Sequence, residues 1–355
     1  MKTKKVLIGM SGGVDSSVAA LLMKQQGYEC LGATMQLYDA GICNAPDNAA
    51  DARRIAQKLD IPFHLFSFQQ DFEKHVIQKF IQSYESGLTP NPCIDCNRRM
   101  KFDRMLQSAL ELGCDYVVSG HYARIRRDPE SGRYLLYKAA DAAKDQTYFL
   151  SCLNQYQLSH ILLPLGELTK TEVRQIAEEN GFLNARKRDS QDICFVPDGD
   201  YAGFMSQHTG KTYPEGNYLD MDGNIVGRHK GAVCYTLGQR KGLGIALGKP
   251  AYVCRKDMDA NTVTLGPNEA LFSNALRAAD FNWFPFPALE NPLRVSAKIR
   301  HSQKEVGATV YPEENGHVRV EFDTPQRAVT PGQAVVLYQD DCVIGGGTIT
   351  EALTI

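Results

Sequence analysis

The sequence predicts an α/β protein: a parallel sheet flanked by helices in the N-terminal part, followed by β-rich units. Three observations predict it. Apolar, strand-like runs alternate with stretches of helical spacing between Lys5 and Ser119. A glycine–serine string, Ser11-Gly12-Gly13-Val14-Asp15-Ser16-Ser17, joins the first strand to the first helix. From about Tyr218 onward, helical spacing gives way to short strands separated by turns. Strands alternating with helices need crossover connections, which place the strands parallel.

Each element follows from its residues. Lys5–Met10 is a short apolar run and reads as a buried strand. Residues 16–26 carry Val18, Leu21 and Leu22 at helical spacing and end before Gly27. Glu29–Met35 reads as a second strand, 47–59 as a helix with Ala50, Ile55 and Leu59 on one side, and Phe63–Phe68 as a third strand. Helices are predicted over 71–84 and 102–112, and a strand over Tyr116–Ser119. After Gly132 come a hairpin strand at 133–138 and helices near 146–153 and 170–180; Glu172 lies in the first turn of the latter. Beyond Tyr218, the turn strings at 221–224, 259–261 and 314–316 and the alternation of Val318-Arg319-Val320-Glu321-Phe322 indicate small barrels or sandwiches. The proline-rich stretch 284–292 reads as a linker.

Composition bounds the function. The chain has 355 residues, enough for two or three domains, with 43% hydrophobic and 23% charged residues. Its formal net charge of -2 means that any nucleic-acid contact must come from local basic patches. The N-terminal apolar run, Val6–Met10, is too short for a signal peptide, and no stretch reaches the roughly 18–20 apolar residues that span a bilayer. No membrane association and a cytoplasmic location are expected. The 10 cysteines are scattered, as in a reduced compartment. Cys30, Cys114, Cys152, Cys234, Cys254 and Cys342 have apolar or strand-like neighbours and read as core, and Cys43 as incidental.

The strongest local signal is Gly9-Met10-Ser11-Gly12-Gly13-Val14-Asp15-Ser16. It follows a strand and opens a helix. Adjacent glycines admit close backbone approach and positive φ, and the free amides of a helix start form an anion site. Asp15 could orient the loop or help hold magnesium. The lysine of the common P-loop is missing. The string instead resembles the PP-loop of ATP pyrophosphatases, which cleave ATP between the α and β phosphates.

Two cysteine strings form the second signal. Thr89-Pro90-Asn91-Pro92-Cys93-Ile94-Asp95-Cys96-Asn97 holds two prolines, expected to keep the segment out of helix, and two thiols at a spacing that lets them share a site. Ser190-Gln191-Asp192-Ile193-Cys194-Phe195 follows Arg186, Lys187 and Arg188. Arg98, Arg99 and Lys101 beside the first string are expected to favour thiolates. Alone, the paired cysteines leave redox, metal-binding and chance readings open; a zinc site lacks a second ligand pair.

Taken together, GMSGGVDSS, TPNPCIDCN with Lys101-Phe102, SGHYAR (119–124), KDQTYFL (144–150), SQDICF and TPGQ (330–333) resemble the bacterial tRNA-specific 2-thiouridylases over roughly residues 5–350. The resemblance implies a PP-loop, adenine nucleotide alpha hydrolase-like domain with a helical extension (1–200), a small central β-rich domain (201–275) and a C-terminal β-barrel (276–355). It implies that Gly9, Met10, Ser11, Gly12, Gly13, Val14, Asp15 and Ser16 hold ATP, with Met35 and Gly120 on the adenine and ribose side. It gives Cys96 as nucleophile and Cys194 as the persulfide carrier. Asn91, Pro92 and Cys93 would touch the target base. His121, Lys144, Asp145, Gln146, Arg300, His301 and Gln333 would contact tRNA. Many members of the family carry aspartate where this chain has Cys93. With that extra thiol, Cys93, Cys96 and Cys194 could hold an iron–sulfur cluster; the competing scheme is a persulfide relay ending in a Cys96–Cys194 disulfide.

The implied reaction is ATP- and Mg2+-dependent 2-thiolation of the wobble uridine, position 34, by adenylation of its C2 oxygen and persulfide sulfur transfer. The implied partners are Lys, Glu and Gln tRNAs and a persulfide-bearing donor protein, with the enzyme a monomer. The base must be flipped out of its stack. Arg124, Arg126, Arg127, residues 186–188, residues 228–230, Arg240, Lys241 and residues 298–304 are candidates for gripping phosphates. One alternative is a PP-loop amide-forming synthetase, which needs neither Cys96 nor Cys194. Another is a non-enzymatic, nucleotide-binding redox or metal sensor, which would not split ATP.

Overall fold

The computed structural model describes residues 3–38, 48–187 and 193–355. Cys43, Arg188, Ser190, Gln191 and Asp192 of the sequence reading lie outside the described residues.

The strands of the N-terminal part are β1 (Lys5–Gly9), β2 (Glu29–Gln36), β3 (Phe63–Ser67), β4 (Tyr116–Val118), the hairpin β5 (Arg124–Arg127) and β6 (Tyr134–Tyr137), and β7 (Ile161–Leu162). Five of them form one parallel sheet in the order β3-β2-β1-β4-β7. Val6, Leu7 and Ile8 of β1 are fully buried, because helices cover both faces of this central strand. The chain winds outward from β1 to β3 and returns on the other side with β4. The direction of winding therefore switches between β1 and β4, and a crevice opens beyond their carboxyl ends. Helix α1 (Val14–Gln25) leaves β1 at this point, and α2 (Asn48–Lys58) packs against β2 and β3.

The cysteine string departs from the sequence expectation. The prolines do not hold it out of helix: Pro92 occupies the first helical position, where its missing N–H costs nothing. The segments Pro92–Asp95, Cys96–Arg104 and Met105–Glu111 follow one another as a single helical path. The middle segment is a wide π-type turn. Gln157 donates its side-chain amide to the carbonyls of Arg98 (3.2 Å) and Phe102 (2.9 Å), supporting that turn. The helix Lys170–Glu179 begins with a reciprocal cap between Thr169 and Glu172. The helix Tyr201–Thr209, not foreseen, is capped by Asp200, which accepts from Gly203 N–H at 3.0 Å.

The central unit holds β8 (Gly216–Leu219), β9 (Ile225–His229), β10 (Tyr252–Asp257) and β11 (Thr262–Gly266), in the order β10-β11-β8-β9. The last unit holds β12 (Phe272–Trp283), β13 (Leu293–Lys298), β14 (Val306–Pro312), β15 (Val318–Arg327), β16 (Ala334–Gln339) and β17 (Cys342–Leu353). Their order is β12-β15-β14-β13-β16-β17, and β12 also pairs with β17, so the sheet closes into a barrel. Along β15, Val318, Val320 and Phe322 point into the barrel while Arg319 and Glu321 are partly exposed. Residues 284–292 are not a linker. They join two strands of this one barrel, and Phe284 is fully buried with its N–H on the Ile344 carbonyl. Strand β17 also pairs with β6 at Cys342 and Tyr137, which hooks the β5–β6 hairpin onto the barrel. Among the described residues no helix is long and apolar enough to cross a membrane.

Candidate active site

The loop between β1 and α1 lies at the switch point of the sheet. Gly12 has φ +70°, and a Cβ there would meet the Asn48 carbonyl at 2.5 Å. Gly13 caps α1 with extended backbone and without any side-chain cap. The first amides of α1 are thus left for an anion. The hydroxyls are ordered around them. Ser16 Oγ accepts from Ser11 N–H at 3.1 Å and donates to the Gly13 carbonyl at 3.1 Å; Ser17 Oγ donates to the same carbonyl at 3.0 Å. Gly120, just after β4, abuts this turn: a Cβ would lie 2.8 Å from Ser16 N. Met10 is buried, so only its backbone can face a ligand, while Met35 is half-buried at the carboxyl end of β2. Val14 is also buried.

Two residues outside the sequence reading hold the loop. Asn184 is buried and donates to the Gly12 carbonyl (3.1 Å) and to Ser17 Oγ (2.9 Å). Lys170 is buried, with its ammonium 2.7 Å and 2.8 Å from the two Asp15 oxygens. Tyr122 donates to Asp15 Oδ1 at 2.8 Å. Asp15 therefore orients the loop, the first of the two roles that the sequence leaves open. Its two oxygens accept three donated bonds, two at Oδ1 and one at Oδ2. Both partners lie far from Asp15 in sequence, so no local pattern could have revealed them.

Cys93 and Cys96 sit on the first turn of the helical path that begins at Pro92, and Cys93 is exposed while Cys96 is half-buried. Burial pushes the Cys96 thiol up to about 11, offset in part by Lys101, and crowding by the surrounding protein raises that of Cys93 although part of its side chain stays in solvent. This corrects the expectation of preformed thiolates. Arg98 and Arg99 act on the Asp95 carboxylate, which also accepts from Lys79 Nζ at 2.6 Å; burial raises Asp95 against these charges. Cys194 is exposed. Its neighbours Ile193 and Phe195 pack in the same apolar cluster as Cys96, together with Phe72, Phe80 and Met100. Nevertheless, no group of three His, Cys, Asp or Glu side chains suited to a metal forms among the described residues. The three thiols do not fit a cluster site as arranged here.

A cavity of about 330 Å³ opens beside this turn. It gathers Asn91, Arg300, His301 and Gln333 from the sequence reading, and adds Thr89, Phe149, Thr236, Ser302 and Thr330. His301 is exposed and its ring lies 4.4 Å from that of Phe149. Burial and the Arg327 charge lower the pKa of Arg300, which donates to Thr330 Oγ1 at 3.0 Å. Pro92, the first residue of the turn, is buried.

Other residues expected to contact tRNA are placed differently. His121 is buried against Phe102, its Nδ1 lies 2.6 Å from Ser119 Oγ, and burial holds its pKa well below the usual value. It is a neutral interior group. Asp145 accepts from Ala139 N–H (3.0 Å) and Thr147 Oγ1 (2.6 Å), and Gln146 accepts from Tyr122 N–H (2.9 Å). Both brace the backbone, whereas Lys144 is partly exposed beside them.

Comparison with known proteins follows the same division of the chain. Residues 4–198 match a family described as the tRNA methyl transferase HUP domain, 202–267 its PRC-barrel domain, and 273–349 an aminomethyltransferase beta-barrel domain. A tRNA-specific 2-thiouridylase of Acetivibrio thermocellus is 52% identical over 98% of this chain and 100% of its own length. One of Clostridioides difficile is 50% identical over 99% of each chain. A 4-thiouridine synthetase solved with RNA and ATP overlaps 55% of this chain and 45% of its own at TM-score 0.36 and 19% identity, too remote to add to the assignment. With the glycine–serine loop at the sheet's switch point, the cysteine turn at 92–96 and full-length identity near one half, this chain belongs to the tRNA-specific 2-thiouridylase family.

Proposed function

We propose that this protein uses ATP to replace the C2 oxygen of uridine 34 in tRNA with sulfur. The observation that carries this reading is an uncapped, hydroxyl-lined helix N-terminus in one fold with a cysteine turn whose leading residue, Asn91, lines a cavity of about 330 Å³. The amides of α1 and the hydroxyl of Ser11 bind the phosphates of ATP and steady the charge on departing pyrophosphate, with Ser16 bracing the turn through the Gly13 carbonyl. The C2 oxygen attacks the α-phosphorus, so AMP becomes a leaving group on the base. Asn91, Phe149 and His301 hold the flipped uracil by polar edge and ring contact.

The terminal sulfur of a persulfide on Cys194 then attacks C2 and expels AMP, leaving a base–S–S–Cys194 link. The Cys96 thiolate attacks the Cys194 sulfur; 2-thiouridine leaves and a Cys96–Cys194 disulfide remains, which a cellular thiol reduces. The raised Cys96 thiol needs a proton acceptor or the arrival of the substrate to ionise. Mg2+ accompanying ATP would neutralise charge on its phosphates, and no step is routed through a cluster, because the three thiols form no metal-holding group among the described residues. The family resemblance supplies the remaining terms: Lys, Glu and Gln tRNAs as acceptors, a persulfide-bearing donor protein, and action as a cytoplasmic monomer.

The test is nucleoside mass spectrometry of unmodified Glu tRNA after incubation with ATP, Mg2+ and a persulfide donor. Wild type should yield 2-thiouridine, while Cys194→Ala and Cys96→Ala should yield none. Turnover of a small carboxylate by the double alanine variant, with no 2-thiouridine from wild type, would instead favour an amide-forming synthetase.

A further inference from the structure

The family resemblance presents Gln333 as a tRNA contact, but its side chain is engaged inside the protein. Its amide nitrogen donates to the Thr89 carbonyl at 2.9 Å and to the Pro90 carbonyl at 3.2 Å. One residue earlier, Gly332 has φ +92°, and a Cβ there would meet Thr89 N at 2.9 Å and Leu88 Cβ at 3.0 Å. Pro331 accepts from Thr89 N–H at 2.9 Å. Thus three consecutive residues of the barrel grip the two residues that precede Asn91. Thr89 itself is buried, although it lies in a connection.

This contact is built for closeness. Only glycine allows the barrel turn to approach Thr89 with left-handed backbone and no side chain between. Proline at 90 has no N–H, so the Thr89–Pro90 carbonyls and the Thr89 amide are the groups through which the segment can be held, and all are taken from one side. The gripped residues run directly into Asn91, Pro92 and the turn with Cys93 and Cys96. Thr330, which starts the barrel turn, accepts from Arg300 at 3.0 Å, so the same turn also fixes a guanidinium that lines the cavity.

We infer that Gln333 is a positioning residue: the barrel turn at 330–333 latches the backbone of 89–90 and thereby sets the cysteine turn against the base cavity. The barrel is then part of the machinery for the chemical step, and not only an RNA-binding appendage. This inference rests on the thiolation reading for its kinetic consequence, but its structural consequence is independent of any substrate.

The experiment compares wild type with Gln333→Glu, which keeps the size but cannot donate to carbonyls, and with Gln333→Ala in case the carboxylate disturbs folding. Amide hydrogen exchange is followed by mass spectrometry on the peptide covering 86–93, without tRNA. Losing two donated bonds should speed exchange there about tenfold, with exchange in α1 unchanged. Single-turnover thiolation at saturating tRNA should fall about tenfold, while the Kd for tRNA stays within about twofold. Unchanged exchange at 86–93 together with weaker tRNA binding would overturn the latch and leave Gln333 as an RNA contact. Because exchange is read without substrate, an absence of 2-thiouridine from wild type would defeat the thiolation reading separately.

Discussion

The Lys170 ammonium bridges both carboxylate oxygens of Asp15 at 2.7 Å and 2.8 Å, tying the start of one helix to the first turn of another 155 residues away. The pair is shielded: the Lys170 side chain is 10% exposed and that of Asp15 30%. Removing the lysine leaves a carboxylate beside the anion-binding amides, where its charge opposes ATP phosphates. Lys170→Met should therefore destabilise the protein by about 1–3 kcal/mol, less than for a fully dry orphaned charge because Asp15 keeps some solvent. It should also weaken ATP binding. The double variant Lys170→Met/Asp15→Asn should recover part of both losses, giving a coupling of roughly 0.5–3 kcal/mol by chemical denaturation. Additive losses would show that the pair does not act as a unit.

The Cys96 thiol is pushed from its ordinary 9.0 to about 11, chiefly by burial. In the free enzyme at neutral pH it is therefore protonated. Alkylation of Cys96 by iodoacetamide should be slow at pH 7 and rise through pH 9 to 11, later than for a solvated thiol. The linkage has a definite sign. The unfolded thiol ionises near 9 while the native one still holds its proton, so this contribution to stability is present below pH 9 and lost as pH rises toward 11. A Cys96 alkylation midpoint near 7 in the tRNA-free protein would contradict this environment.

Several cations that the sequence offers for gripping RNA are already paired. Arg124 lies 3.1 Å from Asp341 and 3.5 Å from Glu167, Arg126 3.2 Å from Glu167, and Arg228 3.2 Å from Glu215. Arg240, Lys241 and Lys304 are exposed and have no ion-pair partner among the described residues. Phosphate contacts release counterions, by roughly 0.7–0.9 per contact. Arg240→Ala and Lys241→Ala should each lower the slope of log K against log salt for tRNA by about that amount, whereas Arg124→Ala should change it little. Equal slopes for all three variants, measured by filter binding, would refute this division.

The sequence by itself determined the local chemistry. The strand–glycine–helix string at 9–17 could only make a tight turn with free amides, because Gly12 needs positive φ and Gly13 leaves α1 uncapped. Alternation in residues 318–322 specified a barrel strand, and the Thr169–Glu172 spacing a helix start. These are short-range consequences of backbone sterics and of period, and neighbours in sequence suffice to express them. Local rules failed where position along the chain gave no guide. Pro92 looked like a helix breaker but serves as a helix start, since its meaning depends on which side the helix lies. Arg98 and Arg99 looked like thiolate promoters but attend Asp95, and burial of Cys96 outweighs Lys101. Tertiary structure alone decided that Lys170 and Asn184 support the nucleotide loop, that His121 is interior, and that Gln333 reaches Thr89 across 244 positions. Those outcomes depend on which distant groups the packed core brings within about 3 Å of one another and on how much water it removes from between them.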